Sequence, residues 1–263
     1  MLSSTKRILQ ILGWMLWRDL YVLRKHIWGK ILDSIVWATN IILVSAFILP
    51  SFGTSDIFGL IIWIGTITSM AFFEAVYEAQ DLVADRDGNF HTGYLLTLPI
   101  PSWLVFVKMG LSVAINTAIL SIFMFPLGRI ILRNRVNLAC FSLSKFLIFF
   151  IVLNLFCGFF AIWVYSWATN PTRFSVVRRR VVNPLWSFGG AQFTWYVLYN
   201  AFPRLAFIAL LNPLTYAFDG LRTSVLGPVG YIPFWVSFGM LTMFTLVFGW
   251  WGIVWLKKRL DFV

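Results

Sequence analysis

The residues in this chain that could do chemistry are few. Glu74 lies inside an apolar run, Glu78 follows one turn later, and Asp81, Asp85, Arg86 and Asp87 lie just beyond. An ionisable group inside a membrane often marks a proton or ion path. The other reading is a carboxylate at a helix end, reaching the interface or pairing with Lys108. Further on, Asp219 and Arg222 stand three residues apart. A helix sets such residues on one face, where they can pair and lower the cost of apolar surroundings. Asn212 and Pro213 precede them. Asn212 can satisfy free backbone groups at the base of a short helix, and Pro213 suits its first turn. Trp186, Phe188, Phe193, Trp195, Tyr196, Tyr199 and Phe202 crowd another segment. Such rings serve either as a slide for sugars and flat apolar molecules or as ordinary membrane-interface residues.

Catalytic equipment is missing. The chain has two histidines, His26 and His91, both in or beside polar segments. It has no His-Glu-x-x-His, no Gly-x-Ser-x-Gly elbow and no Walker A sequence, so it cannot bind ATP by that route. Cys140 and Cys157 are too few for a disulfide framework and lie in no metal-ligand spacing. The expectation is a chain that is not an enzyme and that carries no cofactor or metal of its own.

Composition says where the elements that hold these residues must sit. Only 12% of the residues are charged and 60% are hydrophobic. Soluble domains carry about 25% charged residues, so most of this surface must face something other than water. The net charge of +11 would point to nucleic acid in a soluble protein. Here the basic residues sit in short segments between apolar runs, the pattern of cytoplasmic loops, and no nucleic-acid partner is expected.

The expected fold is all-α: a polytopic membrane protein in one transmembrane domain, residues 1–263. Over 5–29, Arg7, Gln10, Arg18, Tyr21 and Lys25 recur at helical spacing among Trp14, Trp17 and Trp28. A helix with a basic stripe and bulky aromatics lies flat in the membrane interface. A span needs about 20 apolar residues, which places six of them at 31–49, 57–77, 103–125, 146–168, 181–202 and 229–256. Residues 78–101 form a long loop. Leu205–Phe218 is too short to cross, so 203–226 reads as a re-entrant hairpin.

Lys6, Arg7, Arg18, Arg24, Lys25, Lys30, Arg86, Arg173, Arg178 to Arg180 and Lys257 to Arg259 fall on the N-terminal side of this topology. Arg129, Arg133, Arg135, Arg204 and Arg222 fall on the other, with Lys145 at the edge of the fourth span. That bias puts both termini in the cytoplasm. The Arg129–Arg135 loop goes against the rule. The parity also tests the hairpin, because an even number of crossings over 181–226 would leave Lys257–Arg259 outside.

Asn212-Pro213-Leu214-Thr215-Tyr216, followed by Asp219 and Arg222, resembles the C-terminal signature of type-2 ATP-binding-cassette exporter permeases. Tyr94-Leu95-Leu96-Thr97-Leu98-Pro99-Ile100-Pro101 resembles the segment that follows the coupling helix in that family. Where the family has a Gly-Thr pair and an acidic residue, this chain has Phe90, His91 and Gly93. The resemblance implies six spans, an interface helix and a re-entrant helical pair between spans five and six. It implies two permease chains, identical or similar, in the inner cell membrane among lipids. It also implies two copies of a separate ATPase subunit holding ATP and Mg. Glu78, Asp81, Asp85, Arg86, Asp87, Tyr94, Leu95 and Pro99 become candidate coupling residues. Asn212, Pro213, Tyr216, Asp219 and Arg222 form the candidate hairpin, and Trp186, Phe193, Trp195, Tyr196 and Tyr199 a candidate pathway. The implied function is export of an amphipathic cargo: a lipid, a lipid-linked glycan or a drug-like molecule. The alternatives are an ion-coupled secondary transporter, which would need intramembrane charges and inverted halves, and a membrane assembly factor that transports nothing.

Overall fold

In lipid every backbone N–H and C=O must be satisfied within the chain, which favours long apolar helices. The computed structural model follows that rule and describes residues 4–25, 27–55, 57–88, 97, 100–135, 140–168 and 170–260. Among them there is helix and no strand. Helix α1 is Ser4–Leu23; α2 is Ile27–Leu43, prolonged by a π turn, Val44–Ile48, and a 3-10 turn, Leu49–Phe52. Helix α3 is Ile57–Gly88, α4 Ser102–Ile122, α5 Met124–Leu132 and α6 Leu143–Trp167. Then come α7 (Pro171–Val177), a π turn (Arg178–Val182), α8 (Asn183–Phe188), α9 (Trp195–Ala201), α10 (Pro203–Ala209), α11 (Pro213–Leu226) and α12 (Phe234–Leu260). Five stretches are long and apolar enough to cross a bilayer: Ile27–Phe52, Ile57–Asp85, Ser102–Leu132, Leu143–Trp167 and Phe234–Lys258. The protein is membrane-embedded.

Helix α6 is apolar on every side, as expected of a helix surrounded by others. It packs against α12, α4, α3 and α11, and Phe149, Phe156 and Phe160 are wholly buried. Helices α3 and α6 are the most enclosed spans, while α2 and α12 keep one face outward, with Leu32, Val36, Leu246 and Trp250 exposed.

Several boundaries differ from the hydropathy reading. Helix α1 ends at Leu23, so Trp28 belongs to α2. Helix α3 has 32 residues and reaches about 48 Å at about 1.5 Å per residue. It runs past Tyr77 through the first part of the expected 78–101 loop, because nothing breaks the ladder before Gly88. The third span continues to Leu132 with a joint at Phe123, where Pro126 has no N–H to offer the Ile122 carbonyl. The last span starts at Phe234, because Gly227 and Gly230 at positive φ, with Pro228 and Pro233, turn the chain first.

The main difference lies over 171–226. Helices α6 and α12 run parallel: Phe149 packs on Phe234 at 5.8 Å, Phe160 on Phe248 at 5.6 Å, and Trp167 on Trp255 at 6.4 Å. The chain between them must therefore return along the bundle, and it does so in two pieces. Helices α7 and α8 climb antiparallel to α3, with Arg178 over the Tyr77 ring at 5.3 Å and Trp186 on Phe73 at 5.1 Å. They stop level with Ser69, about 18 Å short of the start of α3 at about 1.5 Å per residue. Helix α11 takes over, with Arg222 reaching the Ile61 carbonyl and the Ser224 carbonyl accepting from the Ser142 N–H. No continuous helix fills 181–202. The run breaks at Gly189-Gly190, where Gly190 has φ +90°, and Thr194 caps α9 through its side chain. Nor is 203–226 a single hairpin: α10 pairs with α9, and α11 is a separate buried helix.

Candidate functional site

The broken return leaves backbone groups without ladder partners, and three side chains, Asn212 at the cap of α11 and Asp219 and Arg222 within it, attend to them. The Asn212 side-chain oxygen accepts from the Leu214 N–H at 3.0 Å, and its amide donates to the Leu185 carbonyl at 2.6 Å. It thus joins the end of α8 to the start of α11, whose first residue is Pro213. Arg222 is 0% exposed. Its guanidinium donates to the carbonyls of Phe193 (2.8 Å), Ala191 (3.1 Å) and Ile61 (3.3 Å), and to Asp219 at 3.3 Å. Asp219 accepts from the Trp195 N–H at 3.2 Å. Gly65 leaves room for this approach, since a Cβ there would meet the Ala191 carbonyl at 3.0 Å and the Arg222 guanidinium at 3.2 Å. The pair neutralises itself and at the same time satisfies backbone groups of the unwound segment 189–194 and the first N–H of α9. Tyr216 is buried against Phe244.

A second set of charges lies where α2, α3 and α4 meet. Lys30 bonds Glu74 at 2.5 Å and Glu78 at 2.9 Å, and the Asn116 amide donates to Glu78 at 3.2 Å. Lys108 is therefore not the partner of Glu74. It pairs instead with Asp19 on α1, which also accepts from the Ser112 hydroxyl at 2.9 Å. Burial acts to raise the Asp19 pKa, but the hydrogen bond and charge of Lys108, with help from Ser112 and Arg18, hold it below the ordinary carboxylate value. Helix α1 is thereby fastened to α4, with Trp14 and Trp17 facing outward.

Between α2, α3 and the 178–192 segment runs a groove made of two cavities that share Trp37. The lower holds about 550 Å³ and is lined by Lys30, Asp33, Glu74, Tyr77 and Arg178, among others. The upper holds about 360 Å³ and is mainly apolar, with Ile41, Val44, Leu49, Phe58 and Ile62, and with Asn40, Ser45, Thr66 and Ser69 as polar points. From Lys30 to Leu49 the groove follows α2 for about 28 Å, close to the roughly 30 Å of a hydrocarbon core. No protein-family model matches this chain, and no curated protein sequence matches it.

The five candidate pathway aromatics do not line one passage. Trp186 lines the upper cavity and donates to the Ser69 hydroxyl at 2.9 Å. Phe193 faces a separate apolar cleft of about 710 Å³ between α8 and the α9–α10 pair. Trp195 and Tyr199 stack at 5.2 Å and tie α9 to α10, the indole donating to the Ala206 carbonyl. Tyr196 is exposed.

Of the coupling candidates, Glu78 is tied into the Lys30 cluster. Asp81 is exposed, Asp85 is half-buried, and Arg86 and Asp87 lie on the last turn of α3. Tyr94, Leu95 and Pro99 lie outside the described residues. Sequence reasoning used Lys30 and Arg178 only for the charge bias and gave no site role to them, to Asp33 or to Trp37. Lys30 and Asp33, placed just inside an apolar run, were the available signal. Among the described residues no cluster of three or more His, Cys, Asp or Glu could hold a metal.

Proposed function

We propose that this chain is the membrane subunit of an ATP-driven exporter that moves an amphipathic cargo outward from the cytoplasm or inner leaflet. The observation that carries the reading is the groove. It is as long as the hydrocarbon core is thick, it is charged at one end and apolar above, and it opens beside a return helix broken at mid-height. In this reading there are six crossings, the fifth shared between α7–α8 and α11. The parallel course of α6 and α12 supports that parity, and the charge bias puts both termini in the cytoplasm.

The α9–α10 pair, with Phe202, Phe207, Ile208 and Leu211 exposed, then stands as a re-entrant element that faces lipid or a second copy of the chain. Energy comes from a separate ATPase, two copies per assembly, docked on the cytoplasmic extension of α3 and the segment after it. Asp81, Asp85, Arg86 and Asp87 stand at that extension. ATP and Mg belong to that partner.

An ion-coupled carrier needs an ionisable group free to exchange its ion. Glu74 and Glu78 are instead engaged by Lys30 and Asn116, which favours the exporter. The test is ATP hydrolysis by the chain purified with and without its ATPase in lipid nanodiscs. The chain alone is expected to hydrolyse nothing. The complex is expected to be stimulated by amphipathic cargo, and Ile62→Trp, which fills the upper cavity, to blunt that stimulation. Full stimulation with the cavity filled would remove the groove from the mechanism.

A further inference from the structure

The lower cavity carries charges that its own ion pairs do not consume. Lys30 is occupied by Glu74 and Glu78. Asp33 and Arg178, one on α2 and one at the start of the α7–α8 π turn, line the same cavity. Among the described residues neither has an ion-pair partner, and Arg178 only rests over the Tyr77 ring at 5.3 Å. Beyond the Lys30–Glu74–Glu78 cluster, which keeps one net negative charge, the lower cavity offers one carboxylate and one guanidinium, and Trp37 and Phe73 also line it. Across Trp37, which lines both, it adjoins the apolar upper cavity.

From this we infer that the lower cavity binds the headgroup of a zwitterionic phospholipid. The phosphodiester sits on Arg178, the ammonium sits against Asp33 and the neighbouring rings, and the acyl chains lie along the upper cavity. Guanidinium recognises phosphate through paired hydrogen bonds. An alkylammonium is held by a carboxylate and by the faces of aromatic rings. An anionic headgroup such as phosphatidylglycerol would satisfy Arg178 equally well but bring no cation to Asp33, leaving that carboxylate without a partner. The balance of charge in the cavity therefore selects the zwitterion. The inference rests on the groove as a lipid path, and its test measures binding, so it can fail while export stands and hold while export fails.

The experiment is native mass spectrometry of the full chain released from detergent micelles holding equal amounts of phosphatidylethanolamine and phosphatidylglycerol of the same acyl length. Wild type should retain phosphatidylethanolamine over phosphatidylglycerol by about fivefold, the preference that one partly exposed charge contact can give. Asp33→Asn, at an exposed position that leaves the fold intact, should bring the ratio close to one. Asp33→Lys should reverse it. Arg178→Gln should lower retention of both lipids. Glycerophosphoethanolamine, the headgroup without its chains, should not displace the lipid. Equal retention by wild type, a preference that survives Asp33→Asn, or displacement by the free headgroup would overturn the inference.

Discussion

Exchanging Asp219 and Arg222 tests what the buried pair does. If mutual attraction were its whole role, Asp219→Arg with Arg222→Asp would keep opposite charges three residues apart and restore what either single change removes. The structure argues otherwise. Arg222 donates to the carbonyls of Phe193, Ala191 and Ile61, and Asp219 accepts from the backbone N–H groups of Trp195 and Ile232. The swap keeps the pair and strips these groups of partners. A buried polar group left unpaired costs about 1–3 kcal/mol; the Ile61 carbonyl keeps its place in the α3 ladder, so the other groups together cost about 4 kcal/mol even at the low end. Removing one partner of a buried ion pair costs about 3–5 kcal/mol. The double swap should therefore be at least as damaging as Arg222→Met or Asp219→Asn alone. Arg222→Lys, which keeps the charge but gives up the planar fork, should lie between them and wild type and remain foldable. The assay is thermal unfolding of the detergent-solubilised chain, followed by gel filtration of the surviving fold. Recovery by the swap of more than half of the Tm lost in the worse single change would refute the clamp.

Two further outcomes follow from other contacts. Asp19 has a lowered pKa, so its hold on α1 is complete above the ordinary carboxylate value of 3.8 and is lost only as the pH falls through the lower folded value. Protection of the α1 amides, taken relative to the intrinsic exchange rate at each pH, should hold from neutral pH down to that value and be reduced at every pH in Asp19→Asn, and loss of protection near neutral pH in wild type would contradict the assignment. Arg135→Gln should cost about 1.5–3 kcal/mol, a typical figure for a charged hydrogen bond. It removes the donor to the Ala46 carbonyl (2.7 Å) and the cation over Phe47 at the π turn of α2; an unchanged Tm would show that the turn is held by other means.

That arginine also explains part of what charge counting left open. A π turn frees carbonyls that the α ladder would have used, and Arg135 supplies the missing donor, so its place in the loop is structural.

The sequence showed the apolar runs that became α6 and α12, and the Asn212 cap, because hydropathy and capping are local properties. The split return was not legible. Residues 181–202 carry no charge, so hydropathy saw one span, while the break depends on two adjacent glycines and on an arginine twenty-nine residues beyond Phe193. Glu74 was visible as an intramembrane acid. Its partner Lys30 is forty-four residues away, a distance that periodicity cannot bridge. The aromatic crowd over 186–202 was legible as composition, but the turn at 189–194 distributes its rings among three environments.

The most direct test of export is translocation in sealed proteoliposomes. The chain, reconstituted with the separate ATPase subunit proposed for it and supplied with ATP and Mg on the ATPase side, should move a fluorescent amphipathic lipid from that leaflet to the other. It should not do so without ATP, without the ATPase, or with Ile62→Trp filling the groove. Translocation driven by a proton gradient alone, with ATP and the ATPase absent, would contradict the account.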